Sequence, residues 1–169
     1  MIRTIGACLI LGVSGGFGLA KSIGLRRQSR QLRQLITLLE LLRCELNYTL
    51  LPLPRLCVLT AERCTGAAAQ CLLRYGQELE HCGSRHKAAE LALTETKGLC
   101  LPEDARQVLS ELLESLGRYE LEGENRLLRL TGQRLSEIEQ RLNTEKRPLA
   151  RGYAALGFST GLALVILLL

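Results

Sequence analysis

Three groups of residues have the types and spacing that chemistry would need. Gly15-Gly16-Phe17-Gly18-Leu19-Ala20-Lys21-Ser22 is one residue away from the phosphate-cradling GxxxxGK[ST] loop, with Ala20 where the last glycine belongs. Such a loop needs a second carboxylate for Mg²⁺ and a parallel sheet to carry it. The single Asp, Asp104, follows Leu-Pro-Glu with no aliphatic strand before it, and no segment supplies the strands. His81, Cys82 and His86 hold metal-ligating groups, but no fourth ligand stands at a usual spacing. Cys57, Cys64 and Cys71 recur every seven residues. On a continuous helix they would form a metal or redox stripe; small apolar core residues are the favoured reading. Ile5-Gly6-Ala7-Cys8 imitates a lipobox but precedes its apolar run.

The remaining ionisable groups are mostly Glu on helix faces near Arg, such as Glu111, Glu114 and Arg118, and read as solvated ion pairs. No nucleophile–base pair, metal set or cofactor loop emerges, so the expectation is a protein that is not an enzyme and holds no cofactor. Aromatic residues make up 4% of the chain, too few for the stacking platforms of a nucleic-acid binder. Seven cysteines without CxxC spacing read as reduced, mostly buried thiols.

The elements that must position these residues begin at the two ends. Residues 4–20 and 152–169 carry no charge, while the sequence between them is charged and leucine-rich. At about 1.5 Å per residue each stretch gives roughly 26 Å, slightly short of a hydrocarbon core of about 30 Å. Each reads as a transmembrane helix, with Arg and Lys snorkelling at its edges. Lys21, Arg26, Arg27, Arg30 and Arg33 follow the first stretch, and Arg147 and Arg151 precede the second. This basic collar places the middle in the cytoplasm by the positive-inside rule, and the net charge of +5 points to a lipid surface rather than nucleic acid. Both stretches carry GxxxG, as Gly12–Gly16 and Gly157–Gly161, a spacing that lets helices approach closely in lipid. A competing reading takes Gly18-Leu19-Ala20 as a cleavage site, giving an exported helical binding domain with a cleaved leader and a C-terminal anchor.

The middle follows helical periodicity. Leu32, Leu35, Leu39, Leu42, Leu46 and Leu50 share one face from Gln28 to Leu50, and Pro52 and Pro54 end that helix. Further helices are expected from about Arg55 to Gly66, from Ala67 to Glu80, from Ser84 to about Lys97, and from Pro102 to Leu116. A long one after Gly117 faces Leu128, Leu135, Ile138 and Leu142 inward. With no alternating β-branched runs, the expected fold is all-α: an antiparallel bundle flanked by an N-terminal and a C-terminal transmembrane helix. The expected division is 1–22, first span; 23–148, cytoplasmic bundle; 149–169, second span.

In order and spacing the chain resembles the stage III sporulation protein AB family of endospore-forming bacteria, over nearly its whole length. The resemblance is carried by the Gly6-Ala7 span with Ser14 and Gly18–Ala20, the basic leucine helix from Arg30 to Leu42, and Glu45-Leu46-Asn47-Tyr48 followed by Pro52-Leu53. Leu116-Gly117 with its long helix and the closing span from Gly157 to Leu169 complete it. Departures are Leu51, where Thr often precedes the Pro-Leu pair, and Tyr119-Glu120 and Glu124, in a stretch where relatives usually carry Asp and later Gln. The resemblance implies a type II secretion platform-like subunit of a channel between mother cell and forespore, set in the mother-cell membrane. Implied partners are membrane lipid, other channel subunits with their secretion-type ATPase, and further copies of the chain. Glu45, Tyr48, Pro52, Leu53, Leu116 and Gly117 are then the candidate docking or structural corner. Within it, Tyr48 is expected to pack against the bundle, Pro52 to set the turn, and Glu45 to make an ion pair with Arg43 or a neighbouring helix rather than a docking contact.

Overall fold

The structure, a computed structural model, describes residues 2–49 and 51–146, with side chains over 24–49 and 51–144. The described residues form six α-helices and no strand. They are α1 (Ile2–Tyr48), α2 (Leu53–Glu62), α3 (Ala67–Cys82), α4 (Arg85–Glu95), α5 (Glu103–Ser115) and α6 (Leu121–Arg141), followed by a short π-helical turn, Leu142–Lys146. One compact unit comprises Arg30–Glu139, and the chain on either side of it makes up a second.

The helix boundaries follow from local chemistry. Pro52 stands at the N-cap of α2 with extended backbone, and Pro54 fits the first turn, where its missing N–H has no intrahelical use. Gly83 closes α3 in the left-handed conformation. Glu103 and Asp104 occupy the first turn of α5 and Glu122 and Glu124 that of α6, where carboxylates meet the positive helix end. α1 is longer than the periodicity from Gln28 suggests. No proline lies between residues 2 and 48, and the six glycines of α1, Gly24 among them, weaken a helix without breaking it as proline would. Residues 15–22 are interior to α1, so their backbone N–H groups serve helical bonds and form no phosphate cradle.

Within Arg30–Glu139 the core is built from leucine. Leu35, Leu38, Leu39 and Leu42 of α1 meet Ala68 and Leu72 of α3 and Leu109, Leu112 and Leu113 of α5 around one interior. Each such leucine contributes about 1.5–3 kcal/mol by leaving water. α2 lies close on α3 at Gly76, where a Cβ would stand 2.8 Å from the Pro54 carbonyl oxygen. Any side chain at Gly76 would force the two helices apart. The buried amide of Gln31 clamps the α4–α5 loop: its Nε2 donates to Gly98 O at 2.8 Å and its Oε1 accepts from Cys100 N at 2.6 Å.

The cysteine stripe does not form, because α2 ends at Glu62 and α3 starts at Ala67, which puts Cys57 and Cys71 on different helices. Both are buried, and burial pushes their thiols up to about 12 and about 11. Cys64 is half-buried, and Cys44, Cys82 and Cys100 are exposed. The helix-face pairs expected for Glu111 and Glu114 also differ. Glu111 pairs with Arg134 of α6, 3.6 Å away, and Glu114 with His86 of α4 at 3.2 Å. Arg118 is out of register because α5 stops at Ser115.

Among the described residues no helix is long and apolar enough to cross a membrane. Of the first stretch only the helical backbone of α1 is described, and residues 152–169 lie outside the described residues.

Candidate functional site

Two segments that are distant in sequence meet at one end of the Arg30–Glu139 unit: the α1–α2 turn and the α5–α6 turn. Gly117 is where they join. Its backbone has φ +81°, a left-handed conformation that an L side chain adopts only under strain. A Cβ there would stand 2.6 Å from Leu53 Cδ2, so Leu53 lies directly against the glycine. The Gly117 N–H donates to Glu124 Oε1 at 2.8 Å, and Arg85 Nη2 donates to its carbonyl at 3.1 Å. Leu116 is buried beneath it. One residue thus ties together the α1–α2 turn, the start of α4 and the start of α6.

Glu124 extends this arrangement. It is only 5% exposed, and the same Oε1 also accepts from the Tyr119 N–H at 3.0 Å. The carboxylate therefore holds the whole turn, while its Oε2 is buried without a hydrogen-bond partner. Across the turn, Asn47 and Asn125 exchange side-chain hydrogen bonds of 2.9 and 2.8 Å, locking the end of α1 to α6. Glu45 makes an ion pair with Arg63, at the end of α2. Beneath this end, the Tyr75 hydroxyl donates to Leu113 O, and burial pushes its phenol well up.

Of the corner residues expected from sequence, Leu53, Leu116 and Gly117 meet, Pro52 opens α2 next to Leu53, Glu45 pairs at the far end of α2, and Tyr48 requires a correction. Tyr48 does not pack against the bundle; it is 88% exposed. It is the last residue of α1, and the Asn47 side chain, one position earlier, takes the contact to α6. Sequence reasoning missed Asn125, Arg85 and Glu124 as members. Only Glu124 carried a signal, as an acid in a helix first turn.

The other candidate residues lie elsewhere. Arg26, Arg27, Arg30 and Arg33 are exposed along α1, and Arg33 Nε donates to Glu139 Oε1 of α6 at 2.9 Å. Lys21, Gly12 and Gly16 belong to the α1 backbone without described side chains. Arg147, Arg151, Gly157 and Gly161 lie outside the described residues. Each member of the His81, Cys82, His86 group has a separate partner. His81 Nδ1 lies 2.8 Å from Gln77 O, Cys82 Sγ donates to Glu78 Oε2 at 3.4 Å, and His86 pairs with Glu114. Among the described residues no group of three His, Cys, Asp or Glu could hold a metal ion.

The family model for stage III sporulation protein AB matches residues 3–169. A solved structure described as stage III sporulation protein AB superposes with a TM-score of 0.63 at 22% identity. The match covers 72% of this chain and 98% of that one, and at this identity it shows the fold. No curated protein matches the chain. The family match over nearly its whole length places the chain in the stage III sporulation protein AB family, and so among sporulation-associated proteins.

Proposed function

From that membership we propose that the protein is a non-enzymatic membrane platform of a sporulation channel complex, docking other channel subunits and a secretion-type ATPase. The observation that carries this reading is the corner around Gly117, where the motif residues Leu53, Leu116 and Gly117 meet and are held by Glu124 and the Asn47–Asn125 pair. Its side chains serve to hold turns: a glycine fitted by Leu53, a carboxylate accepting two backbone N–H groups, and a paired Asn47–Asn125 clamp. The buried thiols, Cys57 and Cys71, are kept protonated by burial and so are poor nucleophiles.

The membrane part of the proposal rests on the sequence. Residues 4–20 and 152–169 lack charge, and Lys21, Arg26, Arg27, Arg30, Arg33, Arg147 and Arg151 flank them as a collar for anionic headgroups. In this reading residues 1–22 and 149–169 span the mother-cell membrane around the forespore and 23–148 lies in the cytoplasm. Gly12, Gly16, Gly157 and Gly161 then pack against neighbouring spans.

Trypsin accessibility in spheroplasts tests the topology. The exposed collar arginines offer cut sites on whichever side they lie. Protection until lysis supports the platform. Cleavage in intact spheroplasts, with a cytosolic control protein spared, would put the domain outside and replace the platform with an exported binding domain.

A further inference from the structure

The α1–α2 and α5–α6 turns expose apolar surface that the corner itself does not use. Tyr48 is 88% exposed, Tyr119 57%, Leu121 49% and Leu51 41%; of the large exposed apolar side chains in the described residues, only Leu130 lies elsewhere. The Asn47–Asn125 clamp and the Leu53–Gly117 contact bring these turns to one tip. The tip is basic on balance: Arg55, Arg85, Arg118 and Arg126 are exposed there against Glu120 and Glu122.

Beside it lies a cleft of about 480 Å³ between α4 and α5, whose lining includes Glu90, Glu103, Glu114, Arg106 and Leu93. It is acidic on balance, and Arg106 is partly engaged, with Nη2 3.4 Å from Leu93 O. Tip and cleft adjoin. Arg85, which reaches Gly117, is followed by His86 in the cleft wall, and Glu114 precedes Gly117 by three residues. One continuous surface therefore carries a basic apolar knob and an acidic hole.

We propose that this surface is a two-fold self-association site, with the Tyr48–Tyr119 tip of each copy seated in the α4–α5 cleft of the other. A surface with both complementary halves side by side is what a two-fold contact requires, since residue i then meets j while j meets i. Tip against tip would oppose arginines, so charge favours the crossed pairing. The lipid surface is the less suitable occupant. Tyr48 lies 18 residues beyond Arg30 along α1, about 27 Å from the collar end of the same helix. The inference names the self-association surface of the platform and takes its purpose from that reading.

The test uses the full chain in detergent micelles, with mass measured by sedimentation and light scattering. The wild-type chain is expected to be a dimer. Arg118→Glu, Glu90→Arg and Tyr48→Ser, all at exposed positions, should each weaken it by at least about tenfold with unchanged helical content. An equal mixture of Arg118→Glu and Glu90→Arg chains should regain the dimer, because both crossed contacts are then of opposite charge. A wild-type monomer would overturn the proposal and leave the tip to a different protein. A dimer indifferent to all three changes, or a mixture that stays monomeric, would overturn it equally. None of these outcomes bears on the topology read by trypsin, so the two readings fail separately.

Discussion

At the scale of single residues, Glu124 shows how one side chain organises a surface. Its Oε1 satisfies two backbone N–H groups of a turn that has no helix or strand to bond to, and Oε2 gains nothing. Glu124→Ala is therefore expected to destabilise the chain by about 1–3 kcal/mol, as two part-buried N–H groups lose a charged acceptor. Glu124→Gln keeps an acceptor oxygen and should stay within about 1 kcal/mol of wild type. Thermal unfolding of the two variants in detergent compares them directly; equal losses would show that the acceptor is not the reason. The sequence marked Glu124 only as a departure from the family pattern, and its partners were not legible there. Gly117 and Tyr119 reach it through a turn whose path depends on a left-handed glycine.

At the scale of elements, leucine spacing and Pro/Gly punctuation reveal most helices to within a few residues, because periodic burial and chain breaking are local properties. The same logic fails where an element continues without a periodic reason. The helix expected over 1–22 and the one from Gln28 are a single helix, α1, because no proline separates them. It also fails for Arg118, read as sharing a helix face with Glu111 and Glu114 although α5 ends at Ser115. α6 carries an internal glycine, Gly132, with nothing within 4 Å of the position a Cβ would take. Gly132→Ala should stabilise the chain by about 0.5–1 kcal/mol through helix propensity and a less flexible unfolded chain, read as a raised Tm. A lowered Tm would mean that the groove between α1 and α6 needs the bare backbone.

For the whole molecule, the platform proposal makes a distinct demand on the ends. If the spans assemble through small residues, Gly161→Leu should weaken co-purification with the other channel subunits without altering the unfolding of the described helices. The bulk would block helix approach in lipid alone. Crosslinking of the complex in cells measures this, and an unchanged complex would remove Gly157 and Gly161 from the packing face.

Sequence alone determines that this chain is helical and built on leucine faces, with uncharged stretches edged by arginine, because composition and periodicity are written residue by residue. It also determines the family, whose motifs survive in order. Tertiary structure decides which motifs meet. Leu53 and Gly117 are far apart in the chain but in contact, Asn47 finds Asn125, and Tyr48, expected to pack against the bundle, faces outward. The physical reason is that long-range pairing depends on how helices of set length turn at their ends. A left-handed glycine and a two-pronged carboxylate direct that turn, and no local pattern announces where it leads.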